Sequence, residues 1–300
     1  MAKSNNKGGM SKRNKWIIGV VVGLVALIGL IVVFGTPSAE VVFKGMNEKM
    51  LETSSVTIDQ KLAMKGTAEI NSRMFLDLRS SNSLLAKGNF SINMTSEGIP
   101  MNFAGDLIKI GDNNYVRYSS ISSTDSRVSP SFKTTETKLK NNWIKIRDKD
   151  QFASIANSVL EFNTNVLPIP FANLNDTQRK NVLSILQDKN MYTINESSKV
   201  ETEGVSAYKY IIKYNDDQFK KAAKLISNYN TYFKSDNSSS DKITSLTVWV
   251  DIVTKQIIKI EYTGTTKSGD VTGTIAFSDY NKVQTIEKPS DYVIESELLN

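Results

Sequence analysis

The sequence predicts an α+β fold: a curved antiparallel β-sheet whose apolar face is covered by helices, preceded by one transmembrane helix. Three observations predict it. Residues 16–35 (WIIGVVVGLVALIGLIVVFG) hold no charged side chain. Short runs near both ends of the remaining chain alternate apolar and polar residues, the period of half-buried strands. Between them lie stretches with apolar residues at helical spacing. An all-strand sandwich would not carry these helices, and a parallel α/β fold would alternate them regularly with the strands.

The first fifteen residues carry Lys3, Lys7, Lys12, Arg13 and Lys15 and no acid. As a helix, Trp16 to Phe34 reaches about 28 Å, close to the roughly 30 Å of a bilayer core. A cleaved signal peptide has a shorter apolar region, and Pro37 would take the −3 position of the possible cleavage sequence Thr-Pro-Ser-Ala at residues 36–39. The reading is therefore a signal anchor at 16–35. The positive-inside rule leaves the basic head, 1–15, in the cytoplasm and sends 36–300 outside as one domain, attached to the plasma membrane by a single pass.

Within that domain, residues 40–52 place Val42, Phe43, Met46, Met50 and Leu51 near one helical face. Period-two segments follow at 57–67, 88–95 and 101–110, the last with a change of phase near Gly105, as at a bulge. The turn Gly111-Asp112-Asn113-Asn114 leads into a strand at 115–118. Residues 119–142, rich in Ser, Thr and Lys, read as an excursion from the sheet, and 143–146 resumes as a strand. Helical spacing marks 149–162. Asp176 reads as the N-cap of the next helix, and 216–233 as a further one opened by two acids. Strands are expected from Met191, at 206–215, across 246–264 and at 269–281.

The clearest element is LTVWVDIVTKQIIKIEYTG, residues 246–264, two β-branched and aromatic runs around a polar break. Leu246, Val248, Val250, Ile258, Ile260 and Tyr262 share one parity. Ser245, Thr247, Asp251, Lys259 and Glu261 share the other, with Trp249 and Ile257 among them. One face of this hairpin is oily and the other wet. Together with Phe90, Ile92, Met94 and Phe103, the oily parity supplies the candidate lining of a ligand space, or else a solid core.

Composition excludes much else. Outside the first fifteen residues 32 basic residues face 31 acidic ones, so no concentrated basic surface for nucleic acid is expected. Cysteine and histidine are absent, which removes disulfides, thiolate and imidazole chemistry and the common zinc sites. Asp216-Asp217 and Glu201/Glu203 read as a helix N-terminus and a solvated loop rather than a catalytic pair. The acids at 236–241 lack the glycine and terminal carboxylate of an EF-hand. No catalytic residue, metal site or cofactor is expected.

GDNNYVRY (111–118), NNWIKI (141–146), GVSAYKYIIKY (204–214), LTVWVDIVTKQIIKIEY (246–262) and GTIAFSDYN (273–281), in this order and before Pro289, resemble the LolA/LppX-like superfamily of extracytoplasmic lipoprotein carriers and lipid-binding lipoproteins. The resemblance implies an unclosed half-barrel with helices on its concave side and, between them, a space that accepts an acyl chain or other lipid. It implies no catalytic motif. The chain departs from the lipoprotein members in having no cysteine to lipidate, and an anchoring helix takes that place. The expected function is a membrane-anchored binding protein for lipid or another hydrophobic moiety. The alternative is a structural or interaction module of the cell envelope, with a filled core and envelope proteins as partners. A carboxylate hydrolase is the least favoured reading.

Overall fold

The computed structural model describes residues 36–147, 171–231, 242–266, 269–294 and 297. The chain divides into two compact units, 1–38 and 39–300. The expected basic head and membrane span at 1–35 lie outside the described residues, as do the expected helix at 149–162 and the acidic loop at 236–241. Among the described residues no helix is long and apolar enough to cross a membrane.

The second unit opens with helix α1 (Ala39–Glu52), and five strands follow: β1 (Ser55–Met64), β2 (Ala68–Asp77), β3 (Leu85–Ser96), β4 (Ile99–Ile110) and β5 (Asn113–Ser123). Helix α2 (Ser129–Leu139) and the short β6 (Ile144–Ile146) come next. After helix α3 (Asp176–Leu186) come β7 (Tyr192–Thr202) and β8 (Val205–Tyr214), helix α4 (Asp216–Ser227), β9 (Lys242–Asp251), β10 (Ile257–Thr266), β11 (Gly269–Ser278) and the two-residue β12 (Val293–Ile294). All strands join one unclosed sheet in the order β12-β6-β5-β4-β3-β2-β1-β11-β10-β9-β8-β7. Two meanders, β1 to β6 and β7 to β11, meet where β1 pairs with β11. Every neighbour is antiparallel except β12, which runs parallel to β6.

The long edge strand β7 is blunted by a bulge between Ile194 and Glu196 and by the charges of Glu196, Lys199 and Glu201, features that discourage further strand pairing. At the opposite edge β6 is only three residues long and is capped by β12.

Helices α1 and α2 lie on the sheet's apolar face. Val42, Phe43, Met46 and Met50 of α1 and Leu139 of α2 belong to the same buried cluster as the strand residues beneath them. Helices α3 and α4 instead pack mainly on each other and on Leu51, through Val182, Leu186, Ala222, Ala223 and Ile226. The face is therefore shared unequally: two of the four described helices cover it, and the other pair forms a second, smaller core.

The structure corrects the sequence reading at three points. Residues 119–142 are not an excursion: 119–123 complete β5, and Ser129–Leu139 are helical in spite of their Ser, Thr and Lys content. Burial of Leu139, the contact of Phe132 with Phe103 (ring centroids 6.3 Å apart) and Pro130 in the first turn stabilise a segment with poor intrinsic propensity. Strand β4 keeps its phase through Gly105, with Phe103, Gly105 and Leu107 all buried. The register shift opposite Ala104/Gly105 places the extra residue, Ser119, on β5. The N-cap of α3 is Asn175 rather than Asp176, and with Gln178 it forms a capping box.

Gly273 shows how tightly the face is assembled. It stands beside Tyr262 on β10, and a Cβ there would clash with the phenol end of that side chain, at Cζ and the hydroxyl oxygen. Gly273→Ala is expected to destabilise the protein by about 1–3 kcal/mol through this overpacking, read as a lowered midpoint in chemical denaturation.

Candidate ligand-binding face

The strand registers assemble the predicted residues into rows across the sheet. In one row Tyr210, Val248, Ile260 and Ile275 stand side by side on β8, β9, β10 and β11. That row continues through Gln60, Ser72 and Phe90 to Gly105 and Tyr118. The next row runs from Ile212 through Leu246, Tyr262 and Gly273 to Leu62. It ends with Ile70, Ile92, Phe103 and Ile121. A third contains Val271, Met64, Ala68, Met94 and Met101. Phe90, Ile92, Phe103, Leu246, Val248, Val250, Ile260 and Tyr262 are at most 4% exposed and share one cluster, and Met94 is half-buried against it.

Ile258 departs from this group. A bulge in β10 lets Ile257 pair with Val250 and Lys259 with Trp249, so Ile258 is the extra residue. Ile257 joins the main core, and Ile258 packs on the outer face with Ala207 and Trp249. The cause lies in the tight turn at 251–256. The Asp251 carboxylate accepts from the amides of Val253 and Thr254 (2.7 Å each), and Lys255 adopts φ +59°. The stem of Lys255 also lies over Gly45 of α1, fixing the turn against the helix. Trp249 is 8% exposed, and it is covered by lysines rather than by a loop: the Lys259 ammonium stands 4.2 Å and that of Lys209 5.6 Å from its ring centre.

The apolar face is not wholly apolar. Gln60 (2% exposed) and Ser72 (6%) sit in the middle of the first row, with the Ser72 hydroxyl 3.4 Å from Gln60 Oε1. Asn47 of α1 is 1% exposed. Gln60 Nε2 and Asn47 Oδ1 have no hydrogen-bond partner among the described residues. The parity of Ile58, Leu62 and Met64 already placed Gln60 on this face, but its polarity kept it out of the candidate set. Tyr210 donates its hydroxyl to the Ala39 carbonyl (2.7 Å) and meets Phe43 edge-on, 5.2 Å between centroids.

Of the acids read as structural, Glu201 lies in β7 rather than in a loop. Asp216 and Asp217 open α4 behind the Asn215 cap, Glu201 accepts the Ser206 hydroxyl, and Glu203 lies in the β7–β8 turn at φ +50°. Among the described residues no group of three or more acids could hold a metal ion. A groove of about 390 Å³ lies between Lys61, Glu69, Thr247, Glu261 and Thr274, and of the predicted lining only Tyr262 borders it.

No protein-family model and no curated protein matches the sequence. Among solved structures the chain is similar to LprF from Mycobacterium bovis, with TM-score 0.44, 11% identity, and coverage of 85% of this chain and 99% of that one. It is similar to MucB at TM-score 0.33 and 8% identity, over 87% and 67% of the two chains. The LolA superfamily protein NE2245 from Nitrosomonas europaea gives TM-score 0.24 and 11% identity, over 84% and 98%. The fold is an unclosed antiparallel sheet with helices on its apolar face. Likeness at these values transfers no residue role and no ligand.

Burial pushes the phenols of Tyr192, Tyr210, Tyr262 and Tyr280 far above their usual range, with the Gln60 side chain opposing the shift at Tyr262. Tyr214 is pushed up to about 12, mainly by burial and further by Asp216. An acid whose folded pKa is raised favours folding while it is neutral. This stabilisation is complete below the unfolded value of about 10 and is lost as pH rises through the folded values. Tyrosinate absorbance of the buried set is thus expected only above the usual phenol range of about 10, together with loss of circular dichroism. In the hairpin, Ile257→Ala should cost about 2–5 kcal/mol and Ile258→Ala distinctly less, the reverse of what simple alternation implies, as measured by denaturant unfolding.

Proposed function

We propose that the chain is a non-catalytic, extracytoplasmic protein that takes up a lipid or another hydrophobic moiety between the apolar face and its helices. Residues 16–35 hold it in the plasma membrane with the N-terminus in the cytoplasm. The observation that carries the reading is a continuous apolar face, registered across nine strands, that contains buried polar atoms with no hydrogen-bond partner among the described residues, Asn47 Oδ1 and Gln60 Nε2, the latter's side chain acting on the Tyr262 phenol. A solid core has no use for such atoms, since each costs about 1–3 kcal/mol when buried unpaired. An ester- or amide-bearing lipid supplies both an acceptor for Gln60 and apolar surface worth roughly 25 cal/mol per Å² buried.

A second reading is favoured by a different observation. Val248, Val250 and Ile260 are completely buried against their neighbours, as in a filled core whose protein serves as an interaction module for envelope proteins. Native mass spectrometry of the full-length chain extracted from its own membrane separates the two. The lipid reading expects a co-purifying lipid and saturable uptake of a fluorescent fatty acid. A bare mass with no uptake, together with crosslinked envelope proteins, overturns it in favour of the interaction module.

A further inference from the structure

The two ends of the apolar face differ. At the end near α1, Ile58, Met74, Leu107, Val116 and Ile144 are at most 2% exposed. At the other end the third row is half-exposed over β1 to β4, at Met64, Ala68, Met94 and Met101. These three methionines pack against the core while part of each reaches the surface. A shallow groove of about 330 Å³ at this rim is lined on its inner side by Met64, Ala68 and Met94 and on its outer side by the uncharged Thr67, Asn93, Thr95 and Asn102.

We infer that this methionine rim is the entrance through which an unbranched acyl chain reaches the apolar face. The inference rests on the lipid-binding reading above and adds the place and chemistry of entry. Methionine is unbranched and polarizable, with three rotatable bonds, so its side chain adapts to a sliding methylene chain without a fixed pocket. Val271, Met64, Ala68, Met94, Met101 and Ser123, neighbours along this row, bear no ionisable group. The row therefore offers nothing to a charged peptide or nucleic acid but presents continuous apolar surface to a hydrocarbon. Phe132 of α2, partly buried over Phe103 in the row behind, flanks the opening. The closed opposite end fixes the direction: the chain tip travels from the methionine rim toward the core, and the polar head stays at the rim.

The test uses the full-length chain in amphipol with two photoactivatable palmitic acids, one carrying its diazirine near the carboxyl group and one at the chain tip, and adducts mapped by mass spectrometry. The expected result is head-proximal adducts on residues 64–68 and 93–101 and tip adducts deeper in the face, both suppressed by excess unlabelled palmitate. Met64→Gln/Met94→Gln/Met101→Gln is expected to slow uptake several-fold at a temperature where circular dichroism shows the variant fully folded. Competable adducts in the interior without any at the rim, or normal uptake by the triple variant, overturn the entrance while leaving the lipid reading intact. Adducts confined to residues 16–35, or insensitive to unlabelled palmitate, overturn the reading itself and the entrance with it.

Discussion

The structure depends on the ladder between β1 and β11. Each meander is built from near neighbours in sequence, but only this pairing, from Thr57 with Ser278 to Met64 with Val271, joins them into one sheet. Its contacts lie more than 200 residues apart, so this ladder offsets a larger loop-closure cost than the hairpins within each meander do. A cluster just beyond β11 reinforces it. Asn281 Oδ1 accepts from the Ser54 backbone N–H at 2.8 Å, and the Asn281 backbone N–H donates to the Ser55 carbonyl at 2.9 Å. Asp279 accepts the Thr57 hydroxyl, and Tyr280 donates to the Ile257 carbonyl at 2.7 Å. Asp279 and Asn281 both adopt positive φ, +53° and +59°, conformations to which Asn and Asp are better suited than most residues. The sequence SDYN thus closes the two halves of the protein.

Once β1 and β11 are joined, the composition of the shared face is constrained. Tyr262 can lie across β11 because Gly273 has no side chain, and Phe90 meets the Tyr118 ring 6.2 Å away across the strand that carries Gly105. In both places a large aromatic occupies the width left by a glycine on the neighbouring strand, so the face is filled by fewer, larger side chains. Ring and glycine depend on each other: the glycine leaves the strand short of packing surface, and the ring restores it.

Much of this was legible in the sequence, because a period of two is a direct record of which side chains share a face. That record correctly grouped Phe90, Ile92, Met94 and Phe103 with Leu246, Val248, Val250, Ile260 and Tyr262. It failed at Ile258, where two adjacent isoleucines both fit an apolar parity. Alternation alone does not say which is extra; the turn held by Asp251 and Lys255 decides it. It failed again at Ser129–Leu139, where local propensity is poor and the helix depends on two apolar anchors meeting a distant strand. At Gly105 the sequence marked the right place but the wrong strand, since a bulge is a property of a pair and only one partner was being read. The sequence also passed over Gln60, because a polar residue among strand residues is ordinarily assigned to water.

Gln60 is the residue on which the functional argument turns. An amide in the centre of an apolar layer destabilises the protein unless its donors are used, and the same low dielectric that raises this cost strengthens any bond it makes. Ser72 serves the amide oxygen, and the nitrogen, which also acts on the Tyr262 phenol, is the directional element of a face that otherwise attracts by area alone. Area confers affinity without selectivity: any hydrocarbon gains from it in proportion to its surface. A single buried donor distinguishes a ligand with a carbonyl at the right depth from an alkane of equal length. On the proposed lipid-binding reading, a rim of unbranched side chains at one end and a sealed core at the other would, with this donor, set how far a chain enters and which lipids remain.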